Sequence, residues 1–169
     1  MSVETANWCA LSVKSRHEFA VENELIAKGI EAFLPAFKKL RQWKDRKKLI
    51  DFPLFPGYLF IRAQSKPEEL SAVIHTRGVV SVISGEAGRP VPVPEAEINA
   101  LKLLVGSGAQ IDIYPHLKQG VRVRILRGLL QGVEGVIASK DGRFSLIVNI
   151  EILGRSVGFP LSPEDVAVA

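Results

Sequence analysis

The chain has 169 residues, 47% hydrophobic and 24% charged, which is apolar material for one ordinary domain or two small ones. A formal charge of +4 and a pI near 9.3 favour anionic partners without separating nucleic acid from an acidic protein surface. No apolar run approaches the roughly 20 residues that span a bilayer, and Met1 to Asn7 lacks the basic and apolar regions of a signal peptide, so a cytoplasmic protein with no membrane partner is expected.

Ala6 to Val13 reads as a buried strand, and its Cys9, the chain's one cysteine, as a core thiol with neither a disulfide nor a cysteine-rich zinc site to join. Ser15-Arg16-His17-Glu18 fits a capping box opening a helix with Val21 and Leu25 on one face, Gly29 stops it, and Ile30 to Leu34 is a second strand. Phe37 to Trp43 and Leu49 to Phe52 flank a charged tip, Lys44-Asp45-Arg46-Lys47-Lys48, as a hairpin or long loop. Phe55-Pro56-Gly57 is a turn, and Tyr58-Leu59-Phe60-Ile61 is the strongest strand of the sequence. A second capping signature, Ser65 to Glu68, precedes Leu70, Val73 and Ile74 at helical spacing. Val79 to Ile83 reads as a strand, and Pro94-Glu95 opens a third helix carrying Ile98, Leu101 and Leu104.

Loss of periodicity makes 107–117 a linker between a first domain, 1–106, and a second, 118–169. Beyond it Val121 to Ile125 alternates strictly, and Val136, Ile137, Leu146 to Ile150, Ile152 and Val157 supply further β-branched runs between glycine-bearing turns. Five short strands in so few residues solve their edge problem by closing into a small barrel. The expected architecture is α+β, an antiparallel sheet with flanking helices, followed by a five-stranded β-barrel. Gly128, Gly132 and Gly135 fit turns with positive φ or close strand approach, and their spacing matches no phosphate-cradling motif. His75 and His116 stand alone, and no catalytic constellation or metal-ligand spacing occurs, so neither enzyme activity nor a cofactor is expected.

Trp8, Ser15 to Glu18, Gly29-Ile30-Glu31-Ala32-Phe33-Leu34-Pro35 and Pro53-Leu54-Phe55-Pro56-Gly57-Tyr58-Leu59-Phe60 resemble the amino-terminal domain of NusG proteins. Gly120-Val121-Arg122-Val123, Gly128, Gly132, Gly135-Val136-Ile137 and Ile152-Leu153-Gly154-Arg155 resemble the SH3-like KOW domain that follows it in that family. Trp43 to Lys48 and Ile74 to Val79 look closer to operon-dedicated antitermination paralogues, the relatives of RfaH, than to the general factor. The resemblance implies an amino-terminal domain seated on the clamp helices of RNA polymerase, restraining pausing, and a KOW domain recruiting a small-subunit ribosomal protein or Rho. A monomer is the default expectation. A general factor promoting Rho-dependent termination, and a ribosome-associated RNA-binding protein, are the alternatives.

By resemblance, Phe55, Pro56, Tyr58 and Phe60 fall on the strand that meets the polymerase. Alternation separates Tyr58 and Phe60 from Leu59 and Ile61, so the first pair is assigned to the partner and the second to the core. Lys14, Arg16, His17 and Arg77 are expected to face the non-template DNA strand. Seven basic residues crowd Lys38 to Lys48, among them Lys44, Arg46, Lys47 and Lys48. They read either as a solvated tip or as a contact to upstream DNA or emerging RNA, with Trp43 adding stacking. Leu129, Leu130, Ile152 and Leu153 are the apolar candidates for the KOW partner surface. Glu69-Leu70-Ser71 lacks the threonine motif with which specialised relatives touch the polymerase's gate loop, and Leu129-Leu130-Gln131 replaces the general factor's aromatic KOW tip.

Overall fold

The structure, a computed structural model, describes residues 6–64, 66–107, 112–115, 120–128, 130–140, 143–150 and 153–169. The chain folds as two compact units, Met1–Glu95 and Ala96–Ala169.

In the first unit a four-stranded sheet runs β2 (Glu31–Phe33), β5 (Tyr58–Ala63), β1 (Asn7–Val13), β6 (Val79–Val82). β5 is antiparallel to both β1 and β2, so the expected β-α-β unit places β5 between its two strands. Alternation on β1 and β5 divides the side chains as the sequence predicts. Cys9, Leu11, Val13, Leu59 and Ile61 lie with Val21 and Leu25 of α1 (Glu18–Ala27) and Val73 of α2 (Pro67–Ile74) in one core cluster. Trp8, Ala10 and Phe60 lie on the opposite face and are buried as well. Ile74, read onto the helical core face with Leu70 and Val73, turns outward instead, at 51% exposure.

The helix ends show local and distant signals in competition. At the C-terminus of α1, Gly29 takes φ +81, its N–H donates to the Ile26 carbonyl and the Ile30 N–H to the Leu25 carbonyl, the pattern for which glycine is favoured. At the N-terminus the expected capping box does not form. His17 is the N-cap with no side-chain bond, Arg16 takes the left-handed φ of +68, and the Glu18 carboxylate accepts the Gly57 N–H at 3.0 Å. A distant backbone donor has captured the acceptor that a capping box needs. α2 likewise starts with Lys66 as N-cap and no side-chain cap, with Pro67 in the first turn and Glu69 accepting the Gln64 N–H at 3.1 Å; Ser65 lies outside the described residues.

Between β2 and β5 the chain forms a separate two-stranded ribbon, β3 (Ala36–Gln42) and β4 (Lys47–Pro53), in register from Ala36↔Pro53 to Gln42↔Lys47. The second unit opens with α3 (Glu95–Gly106), in which Ile98, Leu101 and Leu104 are fully buried. Its sheet runs β12 (Val166–Val168), β8 (Val121–Ile125), β9 (Glu134–Lys140), β10 (Arg143–Ile150), β11 (Arg155–Pro160), β7 (Asp112–Pro115). β8 to β12 are the expected five antiparallel strands of the KOW type. β7 is an addition: part of the expected linker pairs along β11, from Gly158↔Asp112 to Arg155↔Pro115. Four residues at a sheet edge are too short to show a period, which is why the sequence reads as linker there. Val123, Ile125, Leu146, Val148, Ile150, Val157 and Phe159 are buried within this unit.

Candidate functional site

The chain turns sharply where β1 meets α1, and two other segments are tied to that corner. Pro56 and Gly57 form the centre of a turn closed by the Tyr58 N–H donating to the Phe55 carbonyl at 3.0 Å, with Gly57 at φ +86 as its third position requires. The Gly57 carbonyl accepts the Val13 N–H at 2.9 Å while its N–H goes to Glu18. On the other side the Lys14 N–H donates to the Gly78 carbonyl at 2.8 Å, fastening the Thr76-Arg77-Gly78 turn to the same corner. Lys14, Arg16, His17 and Arg77 are thereby brought together by backbone bonds rather than by their charges. Lys14, Arg16 and Arg77 are exposed and His17 is half-buried, its Nδ1 lying 3.0 Å from the Ser15 carbonyl.

Behind this corner stand residues that sequence reasoning missed. Lys28 reaches from the end of α1 to the buried Thr76 hydroxyl at 2.9 Å and the Ala72 carbonyl at 3.3 Å, and so holds the Arg77 turn from within. Glu22, one turn after Glu18, accepts the Leu34 N–H at 2.7 Å and pins the strand leading to the ribbon. Burial raises its pKa above the ordinary carboxylate value of 4.5, against the lowering effect of that bond. A carboxyl raised in the folded state binds protons more readily folded than unfolded, so its ionisation costs stability once pH exceeds the raised value, and the cost fades as pH falls towards 4.5. Glu22→Gln should therefore unfold at a higher denaturant concentration than the parent at pH 7, with the gap closing near pH 4.5. A variant less stable than the parent at pH 7 would show that the charge itself is needed.

The aromatic strand is divided differently from the expectation. Phe60 is fully buried and stacks on Phe33 with centroids 6.4 Å apart, and Phe55 is 4% exposed. The expectation that Phe60 presents itself at the surface is thus corrected: both faces of the sheet are covered at this strand, and alternation alone cannot tell an open face from a covered one. Pro56 is exposed and Tyr58 half-buried, paired with Ser12 across the strands.

The ribbon carries Lys38, Lys39, Arg41, Lys44, Arg46, Lys47 and Lys48, all exposed, and at its base the half-buried Phe37 and Phe52 pack with centroids 6.2 Å apart. The indole of Trp43 lies 5.6 Å from the Arg41 guanidinium and 5.5 Å from that of Arg46. In the second unit, by contrast, three arginines are paired: Arg122 and Arg124 share Glu134, whose carboxyl is held below its usual value by the Arg124 hydrogen bond, and Arg127 meets Asp165 at 2.8 Å. Leu130 and Leu153 are half-buried, while Leu129, Ile152 and His116 lie outside the described residues. Gly128 and Gly132 take φ +90 and +88, as expected of turn glycines. Cys9 is buried, and burial, with a lesser contribution from Glu69, pushes its thiol up to about 11. Among the described residues no group of three His, Cys, Asp or Glu is placed to hold a metal, and no helix is long and apolar enough to cross a membrane.

Known proteins resemble this chain along most of its length. The family model described as "Transcription termination factor nusG" matches residues 6–102. Transcription termination/antitermination protein NusG of Borreliella burgdorferi is 28% identical over 168 residues, covering 88% of this chain and 91% of that protein. Its counterpart in Chlamydia trachomatis is 28% identical over 156 residues, 85% of each chain. A solved structure titled "Domain interaction in Thermotoga maritima NusG" superimposes with a TM-score of 0.58 at 25% identity, covering 96% of both chains. With the strand order, the turn at Pro56-Gly57 and a KOW-type sheet in place, the chain belongs to the NusG family of transcription termination/antitermination factors.

Proposed function

We propose that this NusG-family chain binds the clamp helices of RNA polymerase, suppresses pausing and termination, and does so as an antiterminator dedicated to particular operons. The observation that carries the reading is the corner after β1, where one network of backbone bonds joins the Phe55–Tyr58 turn to Lys14, Arg16, His17 and Arg77. Pro56 and Tyr58 supply the polymerase contact, a ring with a polar tip suiting a half-wet interface, while Phe55 and Phe60 support them from beneath. The neighbouring cations meet the non-template strand, Arg77 foremost, since a guanidinium can pair with phosphate and read guanine in a fork. The KOW unit recruits a small-subunit ribosomal protein or Rho through Leu130 and Leu153, and the protein works in the cytoplasm as a monomer without catalytic activity of its own.

Single-round transcription with cognate polymerase, on templates carrying a pause site and a Rho-dependent terminator, tests this reading. Faster pause escape and read-through are expected. Enhanced termination would assign the general NusG role instead, and no effect together with no binding of core polymerase would overturn the assignment. Tyr58→Ala should retain the parent's unfolding free energy to within about 1 kcal/mol while binding core polymerase about tenfold more weakly or worse, the usual cost of truncating an interface aromatic. Unchanged affinity would remove Tyr58 from the interface.

A further inference from the structure

The charge of this protein is concentrated in one place. Between Ala36 and Pro53 seven lysines and arginines stand against two aspartates, a net +5, whereas the whole chain carries +4, so all the remaining residues together come to −1. Among the described residues none of these seven cations is in an ion pair, while Arg122 and Arg124 of β8 share the Glu134 carboxylate. The register makes the concentration costly. Arg41 lies directly opposite Lys48, and like charges facing each other across a ladder destabilise it. A ribbon that keeps such a pair exposed is suited to a polyanion that offsets the repulsion.

Trp43 is the other half of the arrangement. Its backbone N–H donates to the Arg46 carbonyl at 2.8 Å, closing the tip so that Arg41 at the end of β3 and Arg46 in the tip both lie over one indole. A tryptophan ring is the best partner for a stacked guanidinium, and stacking restrains a side chain that otherwise loses substantial rotamer freedom when it binds. Guanidiniums already seated over the ring compete with bases for it, and a free ring is the platform on which single-strand binding depends. A two-stranded ribbon is also of a width that the major groove of a duplex admits.

We propose that the β3–β4 ribbon binds the phosphate backbone of duplex DNA without help from polymerase, and that Trp43 is a positioning residue that orders Arg41 and Arg46 for phosphate rather than a stacking residue. This deepens the nucleic-acid side of the function proposed above, and its test leaves polymerase out, so that its failure is distinct from failure of the polymerase contact.

The full chain is titrated by fluorescence anisotropy against a labelled DNA duplex two helical turns long and against one of its single strands, over a range of salt. Tighter binding of the duplex is expected, with log K falling by about 0.9 per phosphate for each decade of salt. Trp43→Leu should weaken duplex binding by about tenfold at unchanged salt slope, because the same cations still reach phosphate but are no longer pre-ordered. Arg46→Lys should behave in the same way, whereas Arg46→Ala should reduce the slope by about 1. The fluorescence of Trp8, 4% exposed, reports whether Trp43→Leu is folded, and Arg46→Lys tests the stacking without touching the indole. Tighter binding of the single strand, wild-type duplex affinity in Trp43→Leu, or no duplex binding at low salt would each overturn the proposal.

Discussion

Gly78→Ala should lower the stability of the first unit by about 3 kcal/mol and, on the function proposed above, weaken nucleic-acid binding at the same time. Gly78 has φ +98, a region that costs an L-residue about 1–2 kcal/mol. A Cβ there would lie 2.9 Å from Cγ2 of Val21 and 3.0 Å from the His17 Cβ. Val21 is fully buried and cannot step back, so the overlap adds the roughly 1–3 kcal/mol typical of overpacking unless the turn retreats. Retreat breaks the bond from the Lys14 N–H to the Gly78 carbonyl and carries Arg77 away from Lys14 and Arg16. Urea unfolding followed by tryptophan fluorescence measures the first effect, because Trp8 and Trp43 both belong to this unit. An unchanged midpoint would mean that the corner absorbs a methyl group freely, and the tight packing of the Arg77 turn would lose its significance.

Gly135→Ala should be at least as damaging to the second unit. Gly135 sits opposite Val123 between β8 and β10, where an added Cβ would fall 2.4 Å from the Ile147 carbonyl oxygen and 3.1 Å from the Leu146 Cγ. The obstacle is backbone, so no rotamer change relieves it, and the ladder must part where Leu146 and Ile147 are fully buried. A loss of about 3 kcal/mol or more is expected, at or above the upper end of overpacking costs. Amide hydrogen exchange of the full chain checks it: protection along β9 and β10 should fall by about two orders of magnitude, the exchange equivalent of that energy. Native protection in those strands would show that the sheet flexes enough to admit the methyl.

Both glycines mark the limit of what could be read in advance. Gly135 reads, with Gly128 and Gly132, as either a turn glycine or a close strand approach, and the Ile147 carbonyl decides for the second. The demand on Gly78 came from Val21 and His17, fifty or more residues earlier in the chain, and no local pattern announces it. The same division runs through the candidate site. Lys14, Arg16, His17 and Arg77 could be singled out by residue type, yet the bonds that gather them pass through Gly57, Gly78 and Glu18. The capping box at Ser15–Glu18 failed as a reading because it weighed only local acceptors, and the winning donor was the N–H of Gly57. Phe60 was misjudged for a related reason: period-2 alternation names two faces of a strand, and only packing tells how many of them are covered.

What the sequence by itself determined is therefore whatever is encoded at short range: the succession of strands and helices, the Schellman stop at Gly29, the Pro56-Gly57 turn and the gathering of charge between Lys38 and Lys48. The elements and turns rest on spacings of two to five residues, within which backbone geometry fixes what a side chain can do, and the charge is plain from composition. Tertiary structure decided that β5 lies between β1 and β2, that β7 joins the second sheet, that Phe60 is core, and that Trp43 is taken up by two guanidiniums. It also recruited Glu18, Glu22 and Lys28 to fasten distant loops. Their partners lie between 12 and 48 residues away, and a hydrogen bond across such a gap exists only after the burial of Leu11, Val21, Leu59 and Ile61 has brought the two ends together.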